Sequence, residues 1–337
     1  VDRHDHVIGL KPPALAGPAG QRILAAACGI LGLCSVAPLL AWVYDLGTFA
    51  AWFWLLAAPG ILFISVTAIV LKLTGRYPTL YMALVAGVLG GIVATIGYDL
   101  IRTPFLAVGY RLFAPINSYG VLGMNATHSS HATDTVGWLY NFANGVGFGV
   151  GYAVIALGRR WWWAIPWALG LETMTIVTPY ADVYNLRNQL DIIAIAYGAH
   201  VAYGVPLGII VQQAGRWQSA REAFIPPSWA IGGVLVGILL WQQPWVAPEA
   251  PPDDNGRPVA TVSGLRFVPE WVRLPVGGCL VLDNHDDIVY TPSAPPAAEA
   301  LLPNGRATYC FPTSGIKRVQ LNGVPYSGGF VLVDPAL

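Results

Sequence analysis

Residues 79–101 read TLYMALVAGVLGGIVATIGYDLI, and Asp99 is the one charged residue among these 23. About 20 apolar residues in a helix cross the roughly 30 Å hydrocarbon layer of a bilayer, so this stretch is predicted to span a membrane. Six further runs have similar character: Ile23–Tyr44, Phe49–Leu73, Thr135–Gly158, Trp161–Thr178, Leu190–Gln212 and Trp229–Val246. Composition points the same way. Of 337 residues, 55% are hydrophobic and 11% are charged, against about 25% charged in an ordinary soluble domain. Eighteen basic and eighteen acidic residues cancel, so the clustered positive charge that nucleic-acid binding needs is absent and no nucleic-acid partner is expected.

Lys and Arg in short loops set orientation. Arg3, Lys11 and Arg22 precede the first run, Lys72 and Arg76 follow the second, Arg159 and Arg160 follow the fourth, and Arg216 and Arg221 follow the sixth. All fall on one side. The other side carries Asp45, then Arg102 and Arg111, then Asp182, Arg187 and Asp191. The expectation is an α-helical bundle of seven transmembrane helices in a bacterial cytoplasmic membrane, N-terminus cytoplasmic, with everything beyond Val246 periplasmic or extracellular. The domain plan is a cytoplasmic segment 1–22, a seven-helix domain 23–246, a Pro-rich linker 247–258 and an extracytoplasmic domain 259–337.

Small residues four apart let helices approach closely in lipid. Gly87 and Gly91, Gly145 and Gly149, Gly204 and Gly208, and Gly233 and Gly237 have that spacing. Besides lipid, the partners expected are other membrane subunits, held through these faces and through the outer domain. Residues 141–149 (NFANGVGFG) echo 200–208 (HVAYGVPLG) in an Ala and two Gly positions, which leaves a duplicated hairpin and chance both open. This Gly-rich part loosely resembles small bacterial multi-helix membrane proteins that carry no assigned chemistry.

Beyond the linker the pattern changes to short strands: Val259–Val262, Arg266–Val268, Trp271–Leu274, Cys279–Asn284, Ala307–Phe311, Lys317–Leu321 and Phe330–Val333, punctuated by Pro, Gly, Asn and Asp. Such spacing predicts a small sandwich or barrel. The strand Leu274–Leu282, the turn Asp283-Asn284-His285-Asp286-Asp287 and the late Tyr309-Cys310-Phe311 resemble a cupredoxin, the Greek-key sandwich of blue-copper proteins. That resemblance implies an all-β fold and would place copper ligands at Tyr290 and near Thr313, while the loop Pro312–Lys317 holds neither His nor Met. A type-1 site needs a thiolate and two imidazoles, so the resemblance implies a module that has lost its copper and serves for docking or stability. His285 and Cys310 could form an unorthodox site, or His285 is an exposed turn residue. Across such a sandwich, in an oxidising compartment, Cys279 and Cys310 are expected to form a disulfide; Cys28 and Cys34, six apart within the first run, read as small apolar residues.

Ionisable residues inside spans are costly and mark functional sites when they face protein or water. Asp99, Arg102, Glu172, Asp191 and His200 are the intramembrane polar set. Asp99 and Arg102, three apart, pair within one turn, either as a structural ion pair or on a proton or substrate path. His128, His131 and Asp134, spaced by three, would line one flank of a helix and suit copper, zinc or iron, with His200 as a further ligand; alternatively they sit at an ordinary helix start. His200 alone could bind haem or metal or be a hydrogen-bonded core residue. The sequence lacks a phosphate-binding loop, a nucleophile elbow, a haem-attachment motif and a zinc-protease motif. Three functions are compatible with this pattern. They are an accessory or assembly subunit of a larger membrane redox or metalloenzyme complex, a copper- or transition-metal-binding oxidoreductase or metal-handling protein using the outer His/Asp cluster, and a transporter. Whether the chain is an enzyme is left open.

Overall fold

The computed structural model describes residues 13–184, 186–187, 189–216, 255–294, 300–324 and 327–334. The chain divides into two compact units, one of residues 1–104 and 141–240, the other of residues 105–140 and 241–337.

The first unit is helical. Helix α1 (Ala19–Leu33) runs through a tight turn, Cys34–Val36, into α2 (Ala37–Val43). The short α3 (Phe49–Trp52), capped where Thr48 Oγ1 accepts from Ala51 N at 3.2 Å, continues through a widened turn into α4 (Ala58–Thr74). Gly75 ends α4 at φ +63°, a left-handed conformation that glycine adopts without strain. Helix α5 (Pro78–Leu106) and, later, α10 (Leu190–Ala214) are continuous. Four segments are long and apolar enough to cross a membrane among the described residues: Ala19–Val43, Phe49–Thr74, Pro78–Leu106 and Leu190–Ala214. On the second of them Trp54, Leu55, Leu62 and Leu73 are exposed, as lipid-facing side chains would be.

The expected seven crossings are not supported. The run at Thr135–Gly158 is a helix, α7 (His131–Ala156), but Thr133, Asp134, Thr135, Asn141 and Asn144 dilute its apolar character and it is not among the four. The run at Trp161–Thr178 divides: Trp161–Trp163 form a tight turn, and α8 (Ala164–Val177) has 14 residues, about 21 Å at 1.5 Å per residue and short of the hydrocarbon thickness. The seventh run, Trp229–Val246, lies outside the described residues. A four-residue helix, α9 (Tyr180–Val183), follows α8.

The glycine faces are used inside the chain. A methyl group at Gly91 would lie 2.6 Å from both Gly145 O and Val146 Cα, and one at Gly87 would lie 2.6 Å from Val150 Cα, so α5 and α7 touch backbone to backbone. Gly204 and Gly208 similarly approach Ala164 and Trp161, setting α10 against α8 and the turn before it. Gly233 and Gly237 lie outside the described residues.

The second unit holds the strands. They are β1 (Val259–Ser263), β2 (Arg266–Pro275), β3 (Cys279–Asn284), β4 (Arg306–Cys310), β5 (Gly315–Val319) and β6 (Gly328–Asp334). They form one curled mixed sheet in the order β4-β3-β1-β2-β6-β5, with β1·β3 and β2·β6 parallel. The two strands expected at Arg266–Val268 and Trp271–Leu274 are one. Arg266–Val268 pair with β1 and Trp271–Pro275 with β6, so Pro269 falls at the change of partner, where its missing N–H is not needed. Residues 105–140, expected among the membrane spans and their loops, belong to this unit. They supply α6 (Ala114–Gly123) and a segment that lies along β2: Ser129 N donates to Trp271 O at 2.9 Å, Arg273 N to Thr127 O at 2.7 Å, and Arg273 Nη1 to Asn125 Oδ1 at 2.6 Å. Leu280, Tyr290, Tyr309 and Phe311 are fully buried in one core cluster with Val272 and Leu274 of β2, while Trp271, also fully buried, stacks on Phe330 of β6, ring centres 4.5 Å apart.

Cys279 and Cys310 lie directly opposite on β3 and β4 and form the expected disulfide. Replacing both with Ser is expected to lower stability of the sheet by about 2–4 kcal/mol, because the link closes a loop of 31 residues in the unfolded chain. A denaturant midpoint of the full chain in detergent, read on the sheet, measures this; an unchanged midpoint would assign the stability to the ladder alone.

Candidate functional site

Four of the ionisable residues singled out in the sequence meet in the helical unit. Asp99 and Arg102 stand one turn apart on α5, 0% and 7% exposed, with Arg102 Nη1 3.3 Å from Asp99 Oδ1. Asn141 of α7 donates through Nδ2 to Asp99 Oδ2 at 3.4 Å, and the Asp99 carbonyl accepts from Thr103 Oγ1 at 3.0 Å. The Arg102 guanidinium lies 4.7 Å from the Tyr98 ring centre, where the negative face of the ring favours a cation. Tyr98 in turn meets the His200 imidazole edge to face, centres 4.8 Å apart. His200, on α10, places Nδ1 2.9 Å from Ala196 O and 3.3 Å from Glu172 Oε2 of α8. Glu172 is 5% exposed. The arrangement therefore runs from Asn141 and Asp99 through Arg102, Tyr98 and His200 to Glu172, across α7, α5, α10 and α8.

Its charge balance is informative. With Glu172 ionised, both neighbours of Nδ1 are acceptors, so Nδ1 carries the hydrogen and Nε2 is the basic nitrogen. Two carboxylates and one guanidinium then leave one negative charge, which a proton on the Glu172–His200 pair would cancel. Buried ionic groups persist only when paired, and here Asp99 pairs with Arg102 and Glu172 with His200.

Asp191, the remaining member of the polar set, is exposed in the first turn of α10, where the helix dipole favours a carboxylate. Among the described residues, His128, His131 and Asp134 do not converge as a metal-holding group. The helix begins only at His131. His128 precedes it in the extended segment facing Val272, with Nδ1 3.0 Å from Thr127 Oγ1, while His131 is exposed and Asp134 buried. His200 belongs to the other unit. Among the described residues no group of three or more His, Cys, Asp or Glu converges to hold a metal ion.

Tyr98 and Asn141 were not singled out in the sequence. Asn141 had a usable signal: it occupies the position equivalent to His200 in the echoed segments, and both of those positions enter the network.

In the sheet, the donors do not fit type-1 copper. Cys310 is tied up in the disulfide and offers no thiolate. Tyr290, at an expected ligand position, is buried with its hydroxyl donating to Asp286 Oδ2 at 2.6 Å, and Thr313 is an exposed alcohol. His285 is a turn residue, its side chain 58% exposed and 3.5 Å from Asp283 Oδ2. Neither a family model nor a curated protein matches the chain. Among solved structures it is similar to a reduced Cu(I) form of amicyanin at pH 4, at 16% identity over 23% of this chain and 83% of that one, with a TM-score of 0.21. An oxidised amicyanin variant gives 18% identity over 27% and 95%, TM-score 0.22, and amicyanin from Paracoccus versutus 15% over 25% and 85%, TM-score 0.22. The resemblance to amicyanin is weak and covers a small part of the chain. At that level the likeness is one of fold over a small part of the chain.

Proposed function

We propose that the chain is an integral membrane protein of transporter type, whose helical unit carries protons, or a solute exchanged against protons, through the Asp99–Arg102–Tyr98–His200–Glu172 network. The observation that carries this reading is the buried Glu172–His200 pair, Oε2 to Nδ1 3.3 Å, in the same unit as the buried Asp99–Arg102 pair. Intramembrane ionisable groups of this kind recur in proton relays. Loop charge supports an N-terminus in the cytoplasm. The sheet would then serve as a cupredoxin-like module without copper, for docking or stability. A metal-handling or oxidoreductase role has no converging ligand set among the described residues to support it. An accessory-subunit role is not helped by glycine faces that already pack within the chain.

Proteoliposomes with a trapped pH dye test the proposal. Under an imposed potential the wild type should collapse a proton gradient faster than empty vesicles. Glu172→Gln and His200→Gln should each slow that flux by about 100-fold or more, the scale of a lost proton-transfer group, while Asp191→Asn leaves it unchanged. Wild-type flux equal to that of empty vesicles, with and without candidate solutes, overturns the reading.

A further inference from the structure

The second unit contains a buried acid that the network does not use. At the start of α7, Ser130 N donates to Thr133 Oγ1 at 2.7 Å and Thr133 N to Ser130 Oγ at 3.3 Å, closing the helix end. The next residue, Asp134, is 3% exposed, and neither of its carboxylate oxygens has a hydrogen-bond partner among the described residues. Trp138, 7% exposed, has an indole Nε1–H that likewise lacks an acceptor. At a spacing of four the two lie on the same helix face, about 5–6 Å apart at Cβ. The charged groups bearing on this position come from outside the helix. Glu270 of β2 acts on Asp134 and is itself paired with Arg111, Nε to Oε1 3.2 Å. Arg111 lies 5.7 Å from the Phe330 ring centre and is influenced by Arg266. On α7 itself, His131 is exposed one turn earlier.

A buried ionised carboxylate with no donor is strongly disfavoured, so the observed arrangement belongs to neutral Asp134. We infer that Asp134 is a proton-binding site: it is neutral as seen here, and on losing its proton it draws the Trp138 indole N–H into a hydrogen bond. Ionised Asp134 also repels Glu270, the residue directly before Trp271 on β2. The segment 127–129 is held at that point, Trp271 N donating to Ser129 Oγ at 3.1 Å. Proton loss therefore strains the attachment of this segment to β2. Burial first, and then the like charge of Glu270, push the Asp134 carboxyl up to about 7, which puts the transition in an accessible range.

The test uses the full chain in nanodiscs with 15N-labelled indoles, the Trp138 signal assigned by its loss in Trp138→Phe. Between pH 5.5 and 8.5 the wild-type Trp138 Nε1–H signal should move downfield with a midpoint near 7. Asp134→Asn should abolish that titration. Glu270→Gln, which removes the repelling charge and frees Arg111, should move the midpoint to lower pH, and this variant decides the matter if Asp134→Asn does not fold. A Trp138 signal that is constant with pH, that still titrates in Asp134→Asn, or whose midpoint is unmoved by Glu270→Gln overturns the inference.

Discussion

Gly91→Leu is expected to abolish the folded helical unit, lowering its stability by about 3 kcal/mol or more. In lipid, helices gain little from hydrophobic burial against one another, and close backbone approach supplies the attraction. At Gly91 even a methyl group would stand 2.6 Å from two backbone atoms, Gly145 O and Val146 Cα. Backbone cannot rotate aside as a side chain can, so α5 and α7 must separate, and a displacement that large lies at the upper end of overpacking costs. Separation would also pull Asn141 from Asp99. The control is Gly170→Leu on α8, where nothing lies within 4 Å of the position a methyl group would take and the residue is exposed. Thermal midpoint and monodispersity in detergent separate the two variants. Equal behaviour would show that the α5–α7 contact does not hold the unit together.

Arg102→Leu should be nearly as damaging. It leaves Asp99, fully buried, without its cation, and breaking one side of a buried pair costs about 3–5 kcal/mol. Removing both charges as Asp99→Leu/Arg102→Leu should recover most of that loss, because no uncompensated charge is left. The single variants, the double variant and the wild type form a cycle measurable by denaturation in mixed micelles. A double variant as unstable as the sum of its parts would mean the two residues do not act as a pair.

Much of the fold was legible because it follows from local rules. Four apolar runs became helices close to their expected ends, since length and hydropathy need no tertiary information. The Asp99–Arg102 pair followed from its spacing of three, and the disulfide from strands placed side by side. Other features depend on what each face meets. Helices apolar all round carry little record of which side points inward, so the meeting of His200 with Glu172 and Tyr98 was not readable from α8 or α10 alone. Hydropathy did not reveal that Trp161–Trp163 form a turn, which shortens α8. The shared flank of His128, His131 and Asp134 was conditional on a helix that includes His128, and the helix begins only at His131. Assigning residues 105–140 to the helical bundle missed the ladder they form with β2, because that pairing joins residues more than 140 apart in sequence.

The central claim is that Glu172 and His200 face one another inside the helical unit and not the lipid. Cysteine cross-linking measures this most directly: Glu172→Cys and His200→Cys are combined in membranes on a background with Cys28 and Cys34 replaced by Ala. Because the two residues meet through the ends of their side chains, Oε2 to Nδ1 3.3 Å, a short bifunctional thiol reagent should bridge the two cysteines in the intact chain, with the link lost in either single variant. Two cysteines that stay unlinked by the reagent while both react with a lipid-soluble maleimide would contradict the account.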